Sequence, residues 1–184
     1  MAEYYLMSQL PSLVGVGEGT PLPITEDRFF ELCRRFLGKK EQSVLNKITL
    51  LPPKESEKSG SPLIDAWNDG ERKLRLSLGK ARADKMKKPF DTGDEYLPAE
   101  LMQTARTAVD MDSPLEAEQF LNDRRLRFLE TLRPADTFSD ESVFYYGIKL
   151  KLLSRIRDFD EASGKAAYKN IYNSIMNGDR TEAE

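Results

Sequence analysis

Apolar residues recur at spacings of three and four along most of this chain, and no alternating run is long enough to build a sheet. The clearest segment is ITEDRFFELCRRFLGKK. Phe29, Leu32, Cys33, Phe36 and Leu37 fall at i, i+3, i+4, i+7 and i+8, one face of a helix. Thr25 can cap its start, Glu26 and Asp27 suit the positive end of its dipole, and Ile24 and Phe29 stand where a hydrophobic staple would close. Gly38 supplies the stop. A short helix is expected from Glu41 to Leu50. Ser61 and Pro62 read as N-cap and first residue of a longer one carrying Leu63, Trp67, Leu74, Leu78 and Ala81, with Gly70 either kinking or dividing it.

Pro98 opens a further helix with Leu101, Ala105, Ala108 and Val109. Ser113–Glu116 has the form of a capping box with proline at the first helical position. The helix behind it carries Phe120, Leu121, Phe128, Leu129 and Leu132 and should end at Arg133, before Pro134. Ser139 repeats the capping logic, with Phe138 able to staple to Val143, ahead of a helix through Phe144, Ile148, Leu152 and Ile156. A last helix over 165–176, with Ala167, Ile171 and Ile175, stops at Asn177–Gly178, and the tail beyond is expected to fray.

The reading is therefore all-α: an irregular bundle of about six to eight helices in a single domain over 1–184. The polar, proline-bounded stretch 52–61 is a linker candidate that would divide it into sub-lobes 1–51 and 62–178. The glycines of VGVGEGTPLP mark a loop, because neither a leading strand nor a following Gly-Lys-Ser/Thr makes it a phosphate cradle. The opening YYLMSQLPSL is too interrupted for a membrane span, and Glu3 stands where an export signal needs a positive charge. It is expected to pack into the fold as a short helix, with Tyr4, Met7 and Leu10 on one face, or as an extended segment.

Composition narrows the chemistry. The chain has no histidine and one cysteine, Cys33. Thiolate or imidazole zinc sites and Ser-His or Cys-His catalysis are excluded by count, as is an intrachain disulfide. Cys33 lies on the apolar face of its helix and is expected to be an inert core thiol. Asp91, Asp94 and Glu95 do not have the spacing of a cation loop. In FYYG, Tyr145 and Tyr146 read as a core element with a polar handle. No catalytic residue, cofactor or metal is assigned.

Charge is laid out unevenly. Glu71–Lys88 holds eight Lys/Arg against two Asp/Glu, whereas Asp91–Asp123 holds nine Asp/Glu against one Arg. Such blocks either lie against each other or solvate their own faces, or else the basic one meets an acidic partner. The interface candidates are Arg72, Lys73, Arg75, Lys80, Arg82 and Lys85, with Arg124, Arg125 and Arg127 as a second patch. A net charge of −3, with no aromatics interleaved among the lysines, argues against nucleic acid.

The pattern YYLMSQLPSL…PLPITEDRFFELCRRFL, residues 4–37, resembles a family of bacterial proteins of unassigned function encoded beside V-type (A/V-type) ATPase subunits. ESVFYYGIKLKLLSRIRDF, 141–159, is similar to the C-terminal helices of the rotary ATPase C subunit (subunit d in eukaryotes), an all-helical socket between the central shaft and the membrane ring. That subunit is usually built of three similar lobes, and this chain has room for one or two. The resemblance implies a non-catalytic subunit or accessory protein, a reduced counterpart of the connector, whose partners are subunits of the central stalk or membrane ring. It would be cytoplasmic and reach the inner membrane through those partners. The alternative is a free-standing cytosolic helical adaptor, with a carboxylate- or lysine-based enzyme third.

Overall fold

The computed structural model describes residues 2–17, 20–53, 55, 57–158, 169 and 171–172. Among them lie seven helices and no strand: α1 (Ala2–Gln9), α2 (Glu26–Phe36), α3 (Lys39–Leu45), α4 (Pro62–Lys85), α5 (Ala99–Asp110), α6 (Pro114–Thr131) and α7 (Asp140–Asp158). The expected all-α bundle is present. The expected helix over 165–176 falls largely outside the described residues.

The helix starts follow local chemistry. The Thr25, Ser61, Ser113 and Ser139 hydroxyls accept from the backbone N–H groups of Arg28, Ile64, Glu116 and Ser142. Each satisfies an N–H that the first turn leaves without a helical partner. The end of α2 is closed from outside, where the Gln42 amide donates to the carbonyls of Leu37 (2.7 Å) and Arg34 (3.2 Å).

Two expectations are corrected. The helix expected over 41–50 runs instead from Lys39 to Leu45. Beyond it, Lys47 and Ile48 bond back three residues, to Val44 and Leu45, and tighten the chain into a turn. The chain beyond that turn serves α4: the Thr49 carbonyl accepts from the Trp67 indole and that of Leu50 from Arg75. In α1 the inward side is Leu6, continued by Met7, Leu10 and Leu13, while Tyr4 is exposed. The tyrosine hydroxyl and ring edge tolerate water, and leucine has no such polar handle.

α7 is the central helix. Val143, Phe144, Tyr146, Ile148, Leu150, Leu152 and Leu153 are all buried, a wider arc than the single stripe its sequence suggested. It packs against α1, α2, α3, α4 and α6. A helix apolar on most sides belongs inside. Around it lies the larger core, to which residues 6–48 and residues 63–67 and 129–153 all contribute. Segment 52–61 thus joins parts of one core. The apolar interior divides elsewhere, part-way along α4. Beyond Glu71 a smaller core is made by Leu74, Leu78 and Ala81 of α4, Ala105 and Ala108 of α5, and Leu121 of α6.

α4 runs unbroken through both cores, so Gly70 does not divide it. Glycine is there for space. A Cβ at this position would lie 2.3 Å from Cε1 of Phe128, whose ring stacks on Trp67 at 6.1 Å. Ordinarily alanine stabilises a helix interior relative to glycine by about 1 kcal/mol. Here Gly70→Ala is expected to destabilise by about 1–3 kcal/mol, because a ring held in a stack must move. Gly79 provides the control in urea unfolding. A Cβ there meets Phe90, which is 42% exposed and free to swing away, so Gly79→Ala should be neutral or stabilising. A loss at Gly79 equal to that at Gly70 would contradict the steric account.

Candidate functional site

The charged residues sort into an inner layer and two outer surfaces. Glu71 lies four residues after Trp67 and three before Leu74, on the buried stripe of α4. Arg125 lies four after Leu121 and four before Leu129, on the buried stripe of α6. Helical spacing therefore aims both at the boundary between the two cores. Both are almost wholly buried, 2% and 6% exposed. The Arg125 guanidinium donates to both Glu71 oxygens (3.0–3.2 Å), to Asn122 (3.0 Å) and to Glu118 (3.3 Å). Arg75 adds a second cation to Glu71 at 3.1 Å, and Arg155 of α7 a second to Glu118. The layer ties α4, α6 and α7 together at their crossing.

This changes the status of the basic residues expected to face a partner. Arg125 is buried and faces Glu71, so it presents nothing outward. Arg72 is held by Asp69 (2.6 Å), Lys73 by Asp69 (2.7 Å) with Glu95 at 3.8 Å, and Arg75 by Glu71. Lys85 donates to the Val109 carbonyl (2.8 Å) beside Asp110, and Arg124 pairs with Glu100 (2.7 Å). For these six the basic and acidic blocks meet each other or their own helix. Lys80, Arg82 and Arg127 are exposed, with no ion pair among the described residues.

Sequence reasoning missed two cations of the same kind. Lys87 and Lys88 follow the end of α4, exposed and without an ion pair among the described residues. Their positions are fixed by the way the helix stops. Lys87 takes the left-handed conformation (φ 54°), Lys88 N–H donates to the Ala83 carbonyl (2.9 Å) and Lys87 N–H to that of Asp84 (3.1 Å). This is the Schellman closure, built with lysine where glycine is usual. The run KMKK was the available signal. The tip therefore presents Lys80, Arg82, Lys87 and Lys88 with exposed Met86 and Phe90.

At the other end of α4 the polar partners are carboxylates. Glu141, in the first turn of α7, accepts from the Ser61 hydroxyl (2.7 Å) and from Leu63 N–H (3.2 Å). A carboxylate at a helix N-terminus meets the positive end of its dipole. Two expected roles are filled locally. Cys33 is fully buried, and burial pushes its thiol up to about 12, which leaves it protonated and unreactive at neutral pH. Tyr146 is buried against Phe29 and its hydroxyl donates to the Pro11 carbonyl at 2.9 Å. Asp91 accepts from Gly93 N–H in its own turn, and Glu95 lies near Lys73. Among the described residues no helix is long and apolar enough to cross a membrane.

Comparison with protein-family models, with curated proteins and with solved structures finds no match. Fold and site define an all-α protein whose two apolar cores are joined through a buried charged layer, with a basic tip at one end of its longest described helix.

Proposed function

We propose that the protein is a non-catalytic subunit or accessory protein of a bacterial V-type ATPase, a helical connector of the kind the central-stalk C subunit provides, serving the coupling of ATP hydrolysis or synthesis to ion transport. One observation carries the reading. The two segments in which the resemblance resides, 4–37 and 141–159, pack on each other as far as they are described: the Phe29 ring stacks on Tyr146 (5.3 Å) and Tyr146 bonds the Pro11 carbonyl. Residues far apart in the chain thus belong to one structural unit, which favours a shared origin of both likenesses. The basic tip of α4 is the docking element of this reading, facing an acidic subunit.

The test is affinity isolation of the tagged full chain from native membranes. ATPase head subunits should be recovered at low salt, with recovery falling steeply as ionic strength rises. The combined reversal Lys80→Glu, Arg82→Glu, Lys87→Glu and Lys88→Glu should reduce recovery about tenfold or more. A lone monomer at every salt concentration would overturn the ATPase reading in favour of the free-standing adaptor. Full recovery with the reversed tip would overturn the docking element and leave the assignment standing.

A further inference from the structure

The far end of α4 from the basic tip carries an exposed aromatic cluster that the fold does not use. Tyr4 and Tyr5 of α1 are 53% and 57% exposed, and Phe138, in the turn before α7, is 46% exposed. They are contiguous: Tyr4 meets Tyr5 edge-on at 5.9 Å and Phe138 at 4.7 Å. Beside them opens a cavity of about 260 Å³ lined by Met7, Leu10, Val14, Pro134 and Tyr145 among others. Met7 lies one turn along α1 from Tyr4, and the cavity wall includes Thr137, next to Phe138, so cavity and cluster form one surface. Large exposed apolar surface rimmed by charge marks a contact site.

The charge at this end is negative. Glu3, Glu41, Asp140 and Glu141 converge from α1, α3 and α7. Glu141 is committed to the start of α4, whereas Asp140 and Glu41 have no ion pair among the described residues. Burial pushes the Asp140 carboxyl above its usual range, and Glu3, Glu41 and Glu141 add to the rise. Two cations also line the cavity: Lys149 is tied to Glu130 at 2.5 Å, and Arg133 is exposed on its wall. An anionic lipid surface is disfavoured here by like charge, and a wholly apolar partner would leave the carboxylates desolvated without a counter-ion.

We propose that this end of the molecule docks a protein segment combining large apolar side chains with flanking lysines or arginines. The apolar side chains rest on Tyr4, Tyr5 and Phe138 and enter the cavity, while a cation meets Asp140 and Glu41. The inference is independent of the ATPase reading and uses a different face from the basic tip.

It is tested on the purified full chain with two labelled 18-residue amphipathic helical peptides of one pattern, leucine–lysine and leucine–glutamate, by fluorescence anisotropy. The lysine peptide should bind and the glutamate peptide should not. Tyr4→Ser with Phe138→Ser, and separately Glu41→Gln with Asp140→Asn, should each weaken binding about tenfold. Asp112→Asn with Asp123→Asn, exposed carboxylates elsewhere, should leave it unchanged. Emission from the buried Trp67 reports that each variant is folded. Equal binding of both peptides, no binding at all, or equal loss from the remote pair would each overturn the proposal.

Discussion

Arg125→Ala is expected to lower the unfolding free energy by about 3–5 kcal/mol, read from the urea midpoint at unchanged slope. The loss is large because truncation does two things at once. It removes the guanidinium from a layer with almost no water access, and it leaves Glu71, Glu118 and Asn122 turned toward the space it vacated. Arg75 remains on Glu71, but it approaches from the solvent side, 36% exposed, and cannot replace a buried two-point contact. The companion variant distinguishes the worth of the pair from the harm of breaking it. Glu71→Met with Arg125→Met should recover part of the loss, since no carboxylate is left unpaired at position 71, and should stay about 1–3 kcal/mol below the parent because buried Asn122 still loses its donor. If Arg125→Ala costs no more than an exposed substitution, the layer is wet and the account of it fails.

Phe29→Ala is expected to be comparably severe, about 3–5 kcal/mol, which in a chain of this size is a fall of roughly 10 °C in the unfolding temperature. Phe29 is fully buried, stacks on Tyr146 and meets the bare backbone of Gly147, where a Cβ would lie only 3.1 Å from its ring. Its removal opens a void between α2 and α7, and Ile48 beside it cannot fill that void without moving the turn after α3. Tyr5→Ala is the comparison: the ring is exposed on α1, and its loss should change stability by less than about 0.5 kcal/mol. Thermal unfolding followed by circular dichroism separates the two, and equal effects would contradict the placement of the core.

What was legible in the sequence was local. A serine or threonine hydroxyl, a proline after it and an apolar face of period 3.6 act within one or two turns. The starts of α2, α4 and α6, and the serine cap before α7, therefore fell where they were expected. The end of α3 was not legible, because the segment after it is fixed by side chains of a distant helix: Trp67 and Arg75 donate to the Thr49 and Leu50 carbonyls. The charged layer was half legible. Glu71 and Arg125 each occupy a position in the stripe of their own helix, which is a signal of burial. Counting charge along the chain instead placed Arg125 among surface candidates, since a one-dimensional sum does not record which side of the helix a residue faces. For the same reason it grouped paired cations with Lys80 and Arg82, and passed over Lys87 and Lys88, whose setting depends on a left-handed turn.

α4 has a mechanical consequence. A helix of 24 residues is about 36 Å long, so with its N-terminus held, a tilt of about 5° would carry its far end through about 3 Å. Its first turn is anchored by the carboxylate of Glu141 on Ser61 and Leu63, and its far end carries Lys87 and Lys88. A force applied at that tip would act on the anchored first turn through an arm packed along α5. Glu71 and Arg125 sit a third to a half of the way along, where sideways load on the arm would be passed to α6.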